Sequence, residues 1–231
     1  EAIIVNDGSP DNLEDLVLDH IKDDNRFKYF KKENGGLASA RNYGIEKSTG
    51  DYILPLDSDN KVRPKFLQWA TDVITKNNNI SVLYGDAQRF GEDNSYWKVG
   101  GYDLHKLLRS NYIDACAIIK KSVFDKVGLY DQNMPHQGLE DWELWLRCTD
   151  NKLRFYYLPE ITFDYRVSGS SMIRNFNNDM KTQINEYIVK KHALLYFNNY
   201  KYIYGKYNYY HNRFEKLSSN FFFKLYKFVK K

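Results

Sequence analysis

Apolar residues in the first 60 positions form short runs separated by helical patterns. The runs "EAIIV" (residues 1–5), "RFKYFKKE" (26–33) and "DYILPLD" (51–57) predict strands. Between them, apolar spacing predicts a helix at about 13–21 and another across "LASARNYGIEKST", with Gly50 as its C-cap. This alternation indicates an α/β fold with a mostly parallel sheet flanked by helices, whose ligands bind at the carboxyl ends of the strands. Asp7 and Asp57 are expected at that rim.

The rest of the chain predicts two longer helices, a short helix at the start of "VFDKVGLYDQNMPHQ", further strands and a change of pattern near residue 176. One helix begins at Pro64 and ends at Lys76, and the strand "ISVLYGDAQRF" follows it. A second helix is predicted from about Asp141 to Asn151, before strands in "LRFYYLPEITFDYRV". After about residue 176 the chain becomes aromatic and basic, with a helical pattern. We therefore predict a domain at 1–175, with halves at about 1–90 and 91–175, and a helical C-terminal extension at 176–231.

Charge and cysteine content narrow the class of protein. The 231 residues carry a formal charge of +4, but residues 201–231 hold eight Lys or Arg and one Glu, which leaves a mildly acidic body. Such a body argues against a nucleic-acid partner, since phosphate backbones are bound by basic faces. We interpret Cys116 and Cys148 as buried free thiols in a reducing compartment. The sequence has no signal-peptide pattern and no apolar run of the roughly 18 residues that a membrane span requires, so we expect a cytoplasmic location.

The predicted strand "DYILPLD" ends in Asp57, and a second carboxylate, Asp59, follows it. Asp57 and Asp59 are one residue apart, and in an extended chain such side chains point the same way. They can converge on one hard cation, and Mg²⁺ or Mn²⁺ bound by one or two carboxylates usually completes its shell with water and phosphates. The spacing therefore indicates a metal site for a nucleotide diphosphate. The alternative is a solvated turn in which Asp59 is an N-cap.

Four segments in one order carry a resemblance. "NDGSPDN", "NGGLASARNYGI", "YILPLDSDN" and "GLEDWELWLR" resemble the family 2 glycosyltransferases, which are inverting enzymes of the GT-A fold that use nucleotide-diphosphate sugars. The resemblance covers about residues 1–175. It implies a GT-A (Rossmann-like) fold, a nucleotide-diphosphate-sugar donor and a divalent metal. The family's sheet normally begins one strand earlier, so we expect that the first strand is absent from this chain and that the chain is incomplete at its start.

The resemblance assigns roles to residues in the nucleotide half. Asp7 matches the acidic residue that contacts the base or ribose, and Arg41 matches a residue that lines the nucleotide pocket. Asp57 and Asp59 match the metal and diphosphate motif. Alternatives for Asp7 and Arg41 are a helix-capping turn and a surface ion pair, respectively.

The segment "GLEDWELW" matches the family's catalytic-base motif. Asp141 is the predicted base, and we expect the positive end of the helix dipole to keep it ionised at neutral pH. Glu140 is predicted to bind acceptor hydroxyls, and Trp142 and Trp145 to present flat faces to sugar rings. The alternative is an acidic helix start that serves only as a cap, with both Trp residues in the core.

Further positions carry weaker assignments. Arg166 is predicted to approach the diphosphate, with a structural salt bridge as the alternative. Ser168 stands where many family members have His, so we expect water or another group to complete the metal shell. Asn111 lies where the family builds its acceptor side, and is assigned to that pocket.

The sequence thus predicts a metal-dependent inverting glycosyltransferase that transfers a sugar from a nucleotide-diphosphate sugar, with a UDP-sugar as the expected donor, to a glycan or lipid-linked acceptor. The basic aromatic tail is interpreted either as a peripheral contact with the inner face of a membrane or as a helix packed on protein. Two other functions stay open. One is a sugar nucleotidyltransferase, although no Gly-rich, basic phosphate loop is visible early in the chain. The other is a non-catalytic sugar-binding or scaffold domain.

Overall fold

The computed structural model describes residues 1–169 and 172–219. The chain divides into two compact units, Glu1–Lys191 and His192–Lys231, and each is described by itself. The predicted boundary, after residue 175, differs from this division because helix α7 (Asn178–Lys191) belongs with the first unit. Ile184 and Ile188 of α7 are buried there.

The first unit alternates strands and helices, and the second is helical. The strands are β1 (Ala2–Asn6), β2 (Phe27–Lys31), β3 (Tyr52–Ile53), β4 (Lys61–Val62), β5 (Val82–Gly91), β6 (Tyr96–Trp97), β7 (Ile118–Lys120) and β8 (Phe155–Val167). The helices of the first unit are α1 (Leu13–Ile21), α2 (Leu37–Lys47), α3 (Phe66–Lys76), α4 (Leu104–Leu107), α5 (Ser122–Val127), α6 (Glu140–Asp150) and α7, with a 3₁₀ turn at Ile173–Asn175. The second unit contains α8 (Ala193–Asn198) and α9 (Tyr200–Ser219). The predicted C-terminal helices are therefore confirmed.

The strands form two sheets. β1 and β2 pair in parallel as a two-stranded sheet, and the other six have the order β3-β7-β5-β8-β4 with β6 on β5. In the larger sheet β5 and β8 are parallel, whereas β3–β7, β5–β7, β4–β8 and β5–β6 are antiparallel. The predicted α/β class is confirmed. The larger sheet is mixed, because β4, β6 and β7 run opposite to β3, β5 and β8.

The parallel pair β5–β8 is the longest ladder in the described sheets, and core residues pack against it. Its register shifts at Gly85–Asp86 and again at Asp86–Ala87, where β8 contains Pro159 and lacks one ladder donor. Helix α3 covers the face of the sheet near Leu83. The buried residues of this cluster are Phe66, Ala70, Ile80, Leu83, Ile118 and Leu158.

Several elements match their predicted limits and others do not. Helix α1 and strand β2 occur where apolar spacing predicts them. Strand β3 is only two residues long and half-exposed, because Pro55 has no N–H for a ladder bond. Helix α2 ends at Lys47 with Ser48 as its C-cap, so the prediction of Gly50 at that position is wrong.

The structure also bears on the cysteines and on membrane-spanning helices. Cys116 and Cys148 are both buried free thiols, as predicted. Within 1–169 and 172–219, the structure contains no helix that is both long and apolar enough to cross a membrane.

Candidate active site

The acidic loop Asp57–Asp59 lies between β3 and β4 and is fastened to the end of β8. Asn60 is buried and accepts a hydrogen bond from the backbone N–H of Arg166 at 2.8 Å. Arg166 Nε donates to the backbone carbonyl of Asp59 at 3.2 Å, while its guanidinium lies 4.6 Å from the centre of the Phe90 ring. The predicted diphosphate contact Arg166 is therefore beside the acidic loop.

Arg41 connects this loop to the predicted base segment. From the middle of α2, its guanidinium donates to Asp57 Oδ1 at 2.6 Å and to Glu140 Oε1. The side chain is 10% exposed and lies over the Tyr130 ring at 5.5 Å. Burial alone would lower the pKa of Arg41, but the nearby carboxylates, Asp57 above all, outweigh it and raise the pKa. Arg41 thus stays charged and holds two acidic segments together.

Asp141 is the second residue of α6 and is 7% exposed. Its Oδ2 accepts a hydrogen bond from Asn111 Nδ2 at 2.8 Å, and its Oδ1 accepts one from the backbone N–H of Trp142 at 2.8 Å. Burial, followed by the charges of Glu140 and Asp114, raises the pKa of Asp141 well above the ordinary aspartate value. The expectation that the helix dipole sets the ionisation of this group is therefore wrong, since the sequence did not reveal its burial.

The two tryptophans of α6 belong to the core. Trp142 and Trp145 are 4% and 0% exposed. Trp142 Nε1 donates to the carbonyl of Leu107 at 2.7 Å, and Trp145 Nε1 donates to that of Ile113 at 2.9 Å. Neither ring offers a free face to a sugar, which contradicts the prediction that Trp142 binds substrate. Their function here is to hold the segment before β7 against α6.

Asp7 follows β1 and anchors the glycine loop in front of α2. Its Oδ1 accepts hydrogen bonds from Lys32 Nζ at 2.6 Å and from the N–H of Gly35 at 3.0 Å, and its Oδ2 accepts one from the N–H of Gly36 at 2.7 Å. These bonds satisfy backbone donors at the start of a helix. The structure therefore gives Asp7 the capping contacts of the alternative interpretation, and its contact with a base or ribose stays a prediction.

Gln137 ties the base segment to the same glycine loop. The N–H of Leu37, the first residue of α2, donates to Gln137 Oε1. Gly36 has a φ of 83°, and a Cβ added there would overlap the amide of Gln137. The close approach of the two segments therefore requires glycine at position 36. Sequence analysis missed Gln137 because nothing in a single polar loop residue indicates a contact 100 residues away.

Two further residues of the site escaped prediction. Asp114 lies before β7, and burial, then the charge of Asp57, raise its pKa to about 6. A lone carboxylate in the apolar run "YIDACAII" was the available signal. Asn42 is buried and exchanges two bonds of 2.8 Å with the backbone of Tyr130, which fixes the ring against Arg41.

The oxygen atoms of the acidic loop suit a hard cation whose coordination shell is completed by water and by phosphate oxygens of a bound nucleotide. In the ranges that the structure covers, no cluster of three or more His, Cys, Asp or Glu could hold a metal. Asp59 is exposed, and within the same ranges no donor bonds to its carboxylate. Among the described residues, the side-chain bond of Asp57 joins Oδ1 to Arg41 and leaves Oδ2 open. Two carboxylates with free oxygens fit Mg²⁺ or Mn²⁺ completed by water and phosphate oxygens.

This chain resembles known proteins in sequence and in fold. The profile described as "Glycosyl transferase family 2" matches residues 1–128. An uncharacterized glycosyltransferase of Rickettsia bellii is 32% identical over 157 residues, which is 66% of this chain and 22% of that protein. The minor teichoic acid biosynthesis protein GgaB of Bacillus subtilis is 29% identical over 187 residues, or 75% of this chain and 20% of GgaB. The chain thus spans about a fifth of the length of both relatives.

A solved structure establishes the fold. The crystal structure of S. aureus TarS 1-349 in complex with UDP-GlcNAc superposes with a TM-score of 0.63 at 14% identity, covering 86% of this chain and 64% of that one. At this identity the likeness concerns the fold, and it confirms the predicted GT-A type. Because the family profile covers more than half of the chain, the conclusion on family is direct: this chain belongs to glycosyl transferase family 2.

Proposed function

We propose that this chain transfers a sugar from a UDP-sugar to a hydroxyl of a glycan or lipid-linked acceptor, with inversion at the sugar C1. The observation that carries the proposal is the double ion pair of Arg41. One guanidinium bonds both the acidic loop at Asp57 and the base segment at Glu140, so the two groups of carboxylates needed for transfer share one site. Membership of the family and the UDP-GlcNAc complex of TarS support the class of donor.

Asp57 and Asp59 are the residues that would hold Mn²⁺ or Mg²⁺. Such an ion, when bound, acts as a Lewis acid that stabilises the negative charge of a departing diphosphate. Arg166 lies beside this loop and supplies a second positive group on the same side. In this account Arg41 neutralises Asp57 and Glu140, and Asp7 keeps the glycine loop shaped for the nucleotide.

Asp141 acts as the general base. As the acceptor oxygen attacks C1, its O–H bond breaks and the proton passes to the Asp141 carboxylate, while the C1–oxygen bond to the diphosphate breaks and its electron pair leaves with UDP. Attack opposite the leaving group gives inversion. Burial raises the pKa of Asp141 above the ordinary aspartate value, which makes its carboxylate a stronger proton acceptor.

Product analysis tests the proposal against its two alternatives. Purified protein is incubated with Mn²⁺ and a panel of nucleotide sugars, and soluble products are identified by mass spectrometry. Release of UDP that disappears in Asp141→Asn but persists in the surface variant Asp19→Asn supports the transferase. Release of pyrophosphate supports a nucleotidyltransferase. Sugar binding without nucleotide affinity supports a non-catalytic binding domain, and either of these last two results overturns the proposal.

The exposed side chains of helix α9 support a second part of the proposal, which is contact with a lipid surface that carries the acceptor. Tyr200, Tyr204, Tyr207 and Phe214 are exposed and lie on one face of this helix at spacings of three, four and seven residues. Four basic residues and one acidic residue accompany them. Aromatic and basic side chains together suit an anionic headgroup region. The rest of the basic tail, 220–231, lies outside the described residues.

Sedimentation with vesicles tests this contact. We expect the protein to pellet with vesicles that contain anionic lipid and to stay in the supernatant with neutral vesicles. Exchanging Tyr204 and Tyr207 for Ser should reduce pelleting. Equal recovery with both kinds of vesicle would argue for the other interpretation of the tail, in which it packs on protein.

A further inference from the structure

Asn111 contacts the proposed base Asp141 directly. Neither its residue type nor its position in the sequence predicts this contact. Its Nδ2 donates to Asp141 Oδ2 at 2.8 Å, and its Oδ1 is buried without a hydrogen-bond partner in the ranges that the structure covers. A buried amide oxygen left unpaired costs free energy. The amide is therefore held in an orientation that serves Asp141 and leaves its own acceptor unused.

The segment that carries Asn111 is fixed on both sides by the helix of the base. Trp142 Nε1 binds the carbonyl of Leu107, before Asn111, and Trp145 Nε1 binds that of Ile113, after it. Both indoles project from α6, which also carries Asp141. The position of the amide relative to the carboxylate is thus set by two buried bonds from one helix, which leaves little freedom for either partner to move.

We propose that Asn111 is a positioning residue for Asp141: its side-chain N–H fixes the carboxylate and favours the ionised form that can accept a proton. The proposal rests on the proposed function, in which Asp141 is the base. An ordinary structural asparagine would stabilise the loop through backbone contacts. The described contacts of this amide go instead to one oxygen of the base.

The electrostatic surroundings of Asp141 explain why such a donor is needed. Burial disfavours ionisation of Asp141 most, and the charges of Glu140 and Asp114 add to this effect. Arg41 and the N–H of Asn111 favour ionisation. The groups that interact electrostatically with Asp141 are Glu140, Asp114, Arg41, Asn111, Tyr130 and Tyr165. Arg41 is already engaged by Asp57 and Glu140, and the backbone N–H of Trp142 binds Oδ1 of Asp141. Asn111 is the side-chain donor to the other oxygen, Oδ2, and it adds no charge.

The test measures the titration of Asp141 itself. In the full chain labelled with ¹³C at aspartate carboxyls, the Asp141 signal is identified by its loss in Asp141→Asn and followed against pH. Removal of the donor in Asn111→Leu should raise the midpoint by about one to two pH units, because a hydrogen bond to a charged group contributes about 1.5–3 kcal/mol. Asn111→Asp keeps the shape, replaces the donor with a charge and should raise the midpoint further. Asn111→Asp also allows the midpoint to be measured if Asn111→Leu fails to fold.

A control and a rate measurement complete the test. Asn151→Leu removes an asparagine at the far end of α6, whose Nδ2 binds the carbonyl of Arg147, and should leave the midpoint unchanged. With UDP-GlcNAc as the probe, the acidic limb of the kcat–pH profile should move upward with the midpoint, at constant KM. An Asp141 midpoint that is unchanged in both Asn111 variants overturns the inference. If the wild type releases no UDP from the probe, the choice of donor has failed, and the carboxyl titration still decides the role of Asn111.

Discussion

Arg41 of α2 forms an ion pair with the buried carboxylate of Glu140, the residue immediately before Asp141. Glu140 is 2% exposed and also accepts a hydrogen bond from the N–H of Gly138 at 2.8 Å. A buried pair contributes little net stability, but loss of one partner leaves an uncompensated charge in the protein interior. The pair therefore makes the base segment depend on a residue 99 positions earlier in the chain.

We expect Arg41→Met to lower the free energy of unfolding by about 3 kcal/mol, because Glu140 is then buried without a partner. The double variant Arg41→Met, Glu140→Gln should recover part of this loss, since it removes the unpaired charge. Chemical denaturation of the four proteins of this cycle gives the coupling. Arg26→Met removes an exposed pair with Asp24 and serves as the control. Simple addition of the two single effects would contradict the account.

Gly36→Ala should destabilise the protein by roughly 1–2 kcal/mol, because its φ of 83° is strained for any residue with a Cβ and because the added methyl displaces Gln137. Thermal or chemical unfolding measures the change. Gly101→Ala is the matched control, since a Cβ there meets nothing within 4 Å. If both substitutions have the same effect, the glycine loop does not need the geometry described here.

Asp131→Asn tests the ion cluster between α7 and the segment after α5. Asp131 accepts hydrogen bonds from Tyr187 at 2.6 Å and Lys191 at 2.5 Å, and although burial opposes them, these partners lower its pKa to about 2. A lowered pKa stabilises the fold above the unfolded-state value near 4, and the gain is lost as the pH falls through 2. We expect a loss of about 2 kcal/mol at pH 7.

The pH dependence is the diagnostic part of that experiment. The difference between Asp131→Asn and wild type should be constant above about pH 5 and shrink as the pH is lowered toward 2. Urea unfolding at several pH values measures it, with the exposed pair Asp19–Lys22 as the site of a control Asp19→Asn. A difference that grows at low pH would have the wrong sign for this cluster.

Tyr130→Phe should leave stability unchanged or raise it by about 1 kcal/mol. The Tyr130 hydroxyl is buried, and in the part of the chain that the structure describes it has no hydrogen-bond partner, so its removal ends an uncompensated desolvation cost. Tyr157→Phe is the comparison, because that hydroxyl donates to the buried Asp86 at 2.8 Å and its loss should be destabilising. Similar melting temperatures for the two variants would show that the Tyr130 hydroxyl has a partner.

Local features of this protein could be predicted from sequence, whereas long-range pairings could not. Helix α1, strand β2 and the acidic start of α6 follow from spacing and turn residues. The direction of β7 between β3 and β5 depends on contacts that no local pattern encodes. The order of motifs identified the family, since four weak signals in sequence are together specific.

Burial explains the failures within the site. The sequence shows Trp142 on an acidic helix start, and a ring that packs in the core gives the same local pattern as one that binds sugar. The pKa of Asp141 likewise depends first on burial and then on neighbours that include Glu140, Asp114 and Asn111. Asp114 and Asn111 lie about 30 residues away in the chain. Asn111 and Gln137 act through single side-chain contacts, and these become visible only in three dimensions.

The central claim is that Asp57 and Asp59 bind a divalent ion that in turn binds the diphosphate of a UDP-sugar. Calorimetric titration with UDP, first with Mn²⁺ and then with EDTA, tests it most directly in the wild type and in Asp57→Asn, Asp59→Asn, with GDP as the control nucleotide. The account predicts binding of UDP over GDP that requires Mn²⁺ and is lost in the double variant. UDP binding of equal strength in EDTA, or in the double variant, would contradict it.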